Sequence, residues 1–139
     1  MISKFFVSLL VICLLKTDVP ATHLYIKVTG IQSNQGKIIV GIFKDNDSFP
    51  TIGKQYKSYK LDIQDKKASL HVTNLEKGRY AVGLCHDLNS NEKMDNNSFG
   101  FPMEPYGFSN NVRGHFSRPT FDEASFYFDG SATLVIRVQ

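Results

Sequence analysis

The residues best suited to chemistry lie in one short run, His86-Asp87-Leu88-Asn89-Ser90-Asn91-Glu92-Lys93-Met94-Asp95. Counted from Asp87, the side chains of Asp87, Asn89, Asn91 and Asp95 hold positions 1, 3, 5 and 9, and Lys93 can offer a backbone carbonyl at position 7. Short oxygen-bearing groups at alternate positions of a tight loop are how a chain wraps a hard cation, above all calcium. The helix–loop–helix calcium hand also needs Gly at position 6 and a bidentate Glu at position 12. Here those places hold Glu92 and Ser98, so any calcium site is a strand-borne loop of a different kind. With few carboxylates, its affinity would be modest, about 10⁻⁴ to 10⁻³ M. The same residues also build Asx turns with no ion at all, because Asp and Asn side chains mimic backbone turns and tolerate left-handed dihedrals. The spacing leaves both readings open.

Nothing else in the chain completes a catalytic set. An alternative to a binding loop is a small hydrolase or metal enzyme using His86, Asp87 and His115, with zinc as the metal, if the segment between them folds back. Ser109 lies in Gly107-Phe108-Ser109-Asn110-Asn111, which is not a nucleophile elbow.

The run follows an apolar strand, Tyr80-Ala81-Val82-Gly83-Leu84, and the chain around it reads as all β. Leu24, Ile26 and Val28 alternate on one face of a first strand. Lys37–Phe43 is apolar on both faces, which marks a central strand. Tyr59–Ile63 and Ala68–Val72 follow, separated by the turn pair Asp65-Lys66, which predicts a hairpin. After the Tyr80 strand come Ala124–Phe128 and Ala132–Val138, joined by Asp129-Gly130, a strong hairpin signal. These seven strands predict a sandwich, with no helix-period segment of useful length.

One stretch breaks the rhythm. From Leu88 to Thr120 no strand pattern is visible, yet the segment carries Phe99, Phe101, Tyr106, Phe108 and Phe116. Disordered segments lack such residues because they cannot bury them. The expectation is an ordered loop between the fifth and sixth strands, folded back over one end or face of the sandwich with its aromatics buried. His86, Tyr106, Phe108, Asn110 and Asn111 are its candidate ligand or partner residues.

The ends and the composition bound the setting. Lys4 precedes the apolar run Phe5–Leu15, and Val19-Pro20-Ala21 offers a cleavage site. A run this short suits an export signal and not a bilayer span, which takes about 20 residues. The expected division is a signal peptide over 1–21 and one domain over 22–139, with a secreted or periplasmic destination and no membrane span after cleavage. Removal of Lys4, Lys16 and Asp18 takes the net charge from +3 to +2, which excludes a nucleic-acid interface and a polybasic membrane patch. Cys85 is then the sole cysteine, so no internal disulfide forms, and a packed thiol is expected.

The run Asn74-Leu75-Glu76-Lys77-Gly78-Arg79-Tyr80 resembles the hairpin of transthyretin-like, carboxypeptidase-regulatory-like sandwiches. His86-Asp87-x-Asn89-x-Asn91 with Asp95, followed by Phe99-Gly100-Phe101-Pro102-x-Glu104-x-Tyr106-Gly107-Phe108-Ser109-Asn110-Asn111, resembles the bacterial secreted family of domain of unknown function 2141. The resemblance implies a signal-bearing, transthyretin-like (immunoglobulin-like) β-sandwich and carries no established activity. It also implies Gly after the third loop ligand, where this chain has Glu92. The combined expectation is an exported, non-enzymatic module of unknown partner. Its loop, with calcium as the one expected cofactor, would present a surface to a small ligand or an envelope protein.

Overall fold

The computed structural model describes residues 19–114 and 117–139. Residues 1–18, which hold most of the expected signal peptide, lie outside the described residues, as do His115 and Phe116. Among the described residues eight strands form two sheets packed as a sandwich, one strand more than the sequence pattern predicts. They are β1 (His23–Thr29), β2 (Lys37–Phe43), β3 (Lys57–Leu61), β4 (Ala68–Thr73), β5 (Gly78–Asp87), β6 (Tyr106–Phe108), β7 (Phe126–Phe128) and β8 (Ser131–Arg137). The first sheet runs β4-β1-β8, with β1 antiparallel to β4 and parallel to β8. The second runs β3-β2-β5-β6, and β7 pairs with the start of β5.

Alternation puts Leu24, Ile26 and Val28 of β1 opposite Ile38, Val40 and Ile42 of β2 and Tyr80, Val82 and Leu84 of β5. All nine are buried, and each large side chain removed from water contributes about 1.5–3 kcal/mol. The odd-numbered residues of β2 and β5, among them Ile39, Gly41, Phe43, Ala81, Gly83 and Cys85, therefore point away from that core. Part of this outer face carries a second, smaller core of Phe43, Phe49, Ala81, Phe108, Phe121 and Ala124.

Two expected hairpins turn out to be corners. Asp65 and Lys66 do form a tight turn, with φ of 50° and 57° and a Gln64–Lys67 bridge. The strands on either side, however, belong to different sheets. Likewise the Asp129-Gly130 turn carries the chain from β7, paired to β5, to β8, paired to β1. Local turn chemistry sets the reversal, but the apolar face of each strand decides which sheet it joins. A four-residue helix, α1 (Phe121–Ala124), precedes β7 and is closed by a capping box between Thr120 and Glu123.

Candidate functional site

The Asx run leaves the end of β5 as a closed loop, and its first residue is its anchor. Asp87 is fully buried; its Oδ1 accepts the Asn91 N–H at 3.1 Å and its Oδ2 the Glu92 N–H at 2.8 Å. Asn89 Oδ1 accepts the Asn91 N–H, and Asn91 Oδ1 the Lys93 N–H. The two side-chain amides then converge on Asp95, with Asn89 Nδ2 donating to Oδ2 at 2.6 Å and Asn91 Nδ2 to Oδ1 at 2.9 Å. All five expected ligand residues thus meet in one network, Lys93 through its backbone N–H, and Lys93 also borders a neighbouring cleft. Glu92, at the place where Gly is expected, takes φ 63°, the left-handed value that the turn requires. Its carboxylate pairs with Lys60 on β3. Among the described residues no three His, Cys, Asp or Glu side chains form a group able to hold a metal.

Glu104, a position of the family-like motif to which spacing assigns no role, is the second anchor. It is buried, and its two oxygens accept the N–H of Leu88 at 2.9 Å and of Asp95 at 3.2 Å. It therefore ties both ends of the Asx loop to the returning chain. Between the anchors the chain makes a small flap, closed by Met103 N–H to Asp95 O and by an Asn96–Pro102 bridge.

The returning chain becomes β6, pairing Tyr106 with Cys85 and Phe108 with Gly83. Ser109 then locks the next turn: its hydroxyl accepts the Val82 N–H at 2.9 Å and donates to Ala124 O at 2.5 Å. Asn110 and Asn111 take φ of 61° and 51° and turn their amides into the fold. Asn110 donates to the carbonyls of Glu123 and Ser125; Asn111 donates to Val135 O and accepts the Arg137 N–H. Of the five candidate loop residues, Tyr106 and Phe108 line a cleft of about 750 Å³, and Asn111 borders a separate, smaller one with Phe108. His86 is buried, with Nε2 donating to Gln35 O at 2.7 Å. His86 and Asp87 are consecutive on a strand, so they point to opposite faces and form no shared centre. The third member of that alternative set, His115, lies outside the described residues.

The cleft is the feature the sequence reading missed. It has a volume of about 750 Å³ and lies on the outer face of the second sheet, beside the Phe43–Phe108 core. Its floor is shaped by a cross-strand glycine pair, Gly41 opposite Gly83. A Cβ on Gly41 would meet the Phe43 ring at 2.9 Å, and one on Gly83 the Phe108 ring at 3.3 Å. The rings can lie against the sheet only because both positions are bare. Ile39 and Cys85 complete the floor; Ile52 and Phe101 stand at the walls, 47% and 67% exposed. The described part of the loop lies over one face, as expected, but Phe99 and Phe101 stay in water instead of being buried. Burial pushes the Cys85 thiol up to about 12, helped by the negative charges of Glu104 and Asp87. It is a packed thiol.

A family model described as an uncharacterized protein conserved in bacteria, domain of unknown function 2141, matches residues 26–135. The chain belongs to this family. The match takes in the sandwich strands, the Asx loop, the flap and the cleft together. No curated protein and no solved structure matches the chain.

Proposed function

We propose that this family member is an exported, non-enzymatic binding module that takes a small, mainly apolar ligand in the cleft. The observation that carries the reading is a cleft of about 750 Å³ on a rigid sheet, walled by ordered loops whose aromatic side chains remain exposed. Ligand sites are typically concave, largely apolar and about 300–1,000 Å³ in volume. Loops on a rigid scaffold are where binding residues sit. Export is supported by Lys4, the apolar run Phe5–Leu15 and Val19-Pro20-Ala21. Among the described residues no helix is long and apolar enough to cross a membrane. A neutral solvatochromic dye such as Nile red tests the cleft. It should bind saturably with a blue-shifted emission, and Ile39→Trp, which fills the floor, should abolish that signal while the protein stays folded. Absence of binding, or equal binding by the Ile39→Trp variant, would overturn the reading.

A calcium ion that orders the Asx loop is a second reading. One observation favours it: the Asp87 carboxylate gathers the Asn91 and Glu92 N–H groups while Asp95 draws in both Asn amides. A cation would replace the amide–carboxylate contacts and take the same oxygens. At tenfold excess over its dissociation constant it would add about 1.4 kcal/mol to stability. Thermal unfolding in millimolar calcium against chelator reads this directly, as a rise of about 5 °C in Tm. An unchanged midpoint removes the ion from the account.

A further inference from the structure

The charges at the cleft say more than its shape. Among the described residues its lining contains no Asp and no Glu, and its charged side chains are Lys93, at the Asx loop, and Arg118. Four surface cations elsewhere pair with carboxylates: Lys37 with Asp62, Lys44 with Glu76, Lys60 with Glu92 and Arg79 with Asp122. Lys93 and Arg118 make no ion pair among the described residues, although the Asx loop next to Lys93 is rich in carboxylates. The carboxylates of that loop are spent on backbone and amide donors: Asp87 on Asn91 and Glu92, Asp95 on Asn89 and Asn91, Glu104 on Leu88 and Asp95. The loop's internal network therefore leaves the Lys93 ammonium uncompensated at the mouth of an apolar trough.

The geometry points to an anionic amphiphile as the occupant, namely a single-chain aliphatic carboxylate. Its tail lies along the Gly41–Gly83 trough against Ile39, Phe43, Phe108 and Phe101, and its carboxylate sits between Lys93 and Arg118. The inference rests on the reading of the cleft as a ligand site and adds the sign of the head group to it. An apolar tail needs the floor; a negative head needs the two cations, and Arg is well suited to meet a carboxylate with two parallel N–H groups. A ligand with a positive head would meet like charges there and nothing to neutralise it.

Isothermal titration of the purified protein with octanoate, decanoate and dodecanoate, all below their micelle-forming concentrations, tests both parts. Binding should be one to one and should tighten about fourfold for each methylene added, until the trough is full. Dodecylammonium, with the same tail and the opposite charge, should bind clearly more weakly. Lys93→Gln with Arg118→Gln should weaken dodecanoate about fivefold and strengthen dodecylammonium, with Tm unchanged since both side chains are exposed. If dodecanoate and dodecylammonium bind equally, and the double variant alters neither, the head-group inference falls while the apolar cleft stands. If no amphiphile and no neutral dye binds, both readings fall. If the protein is instead a dimer that Phe101→Ser converts to monomers, the cleft is an interface between copies and the amphiphile inference is wrong.

Discussion

At the residue scale the candidate site is held by two buried carboxylates with different visibility in the sequence. Asp87 was legible because it opens a run of alternating Asx residues, and alternating donors and acceptors in a tight loop have few other uses. Glu104 was visible only as a position in the family-like motif; its role was not, because its partners lie 16 and 9 residues away along an irregular chain, where no periodicity links them. Its removal is nonetheless expected to be costly. Glu104→Ala leaves the N–H groups of Leu88 and Asp95 without acceptors and should lower stability by about 2 kcal/mol in urea unfolding. Glu104→Gln, which retains one acceptor oxygen, should lose about half as much. Equal, negligible losses for both would show that the loop holds itself. Cys85 gives a pH-dependent prediction. Its folded thiol titrates near 12, whereas an unfolded cysteine ionises at about 8.5. The native state thus binds the proton more tightly, and its share of stability is complete below about pH 8.5 and lost as pH climbs toward 12. By pH 10 the loss should reach about 2 kcal/mol. Cys85→Ala should flatten that slope in unfolding curves taken between pH 8 and 10; an unaltered slope would assign it to other groups.

At the element scale, period-two patterning identified most of the strands because one face of each packs on the core. β6 escaped because three residues, Tyr106–Phe108, are too few to show a period, and they lie between Pro105 and the Ser109–Asn111 turn. The turns at Asp65-Lys66 and Asp129-Gly130 were placed correctly, but turn residues fix only a reversal of direction. Which sheet the next strand joins depends on packing across the sandwich, which a local signal does not encode. The Tyr106-Gly107-Phe108-Ser109-Asn110-Asn111 stretch, read as a ligand loop, works mostly as a clasp between strands. Ser109 is its most exposed weakness in energetic terms, since its hydroxyl is fully buried and serves both Val82 and Ala124. Ser109→Ala should cost about 1–3 kcal/mol by orphaning the Val82 N–H, with faster amide exchange at Val82 and β6 as its signature. Wild-type exchange in β6 would contradict the clasp.

At the scale of the whole molecule, the sandwich, on the proposed reading, separates stability from recognition. The inner faces of both sheets supply the main core. The outer face of the second sheet is left to a small aromatic core, a glycine-floored trough and the loops around it. Sequence alone could not reveal that trough, because Gly41 and Gly83 become a feature only when β2 and β5 align them. The low net charge, legible from composition, is also uneven: the mouth of the trough is positive while the carboxylates beside it are internally bonded. The account depends on this face being the place where a ligand enters. The most direct measurement is a methyl NMR spectrum recorded while dodecanoate is added. The account predicts shifts that saturate together at Ile39, Ile52 and Met94, which border the trough, with the methyls of Leu24, Val28 and Val72 in the main core unmoved. Shifts scattered over both sheets, or confined to the outer face of the β4-β1-β8 sheet, would contradict it.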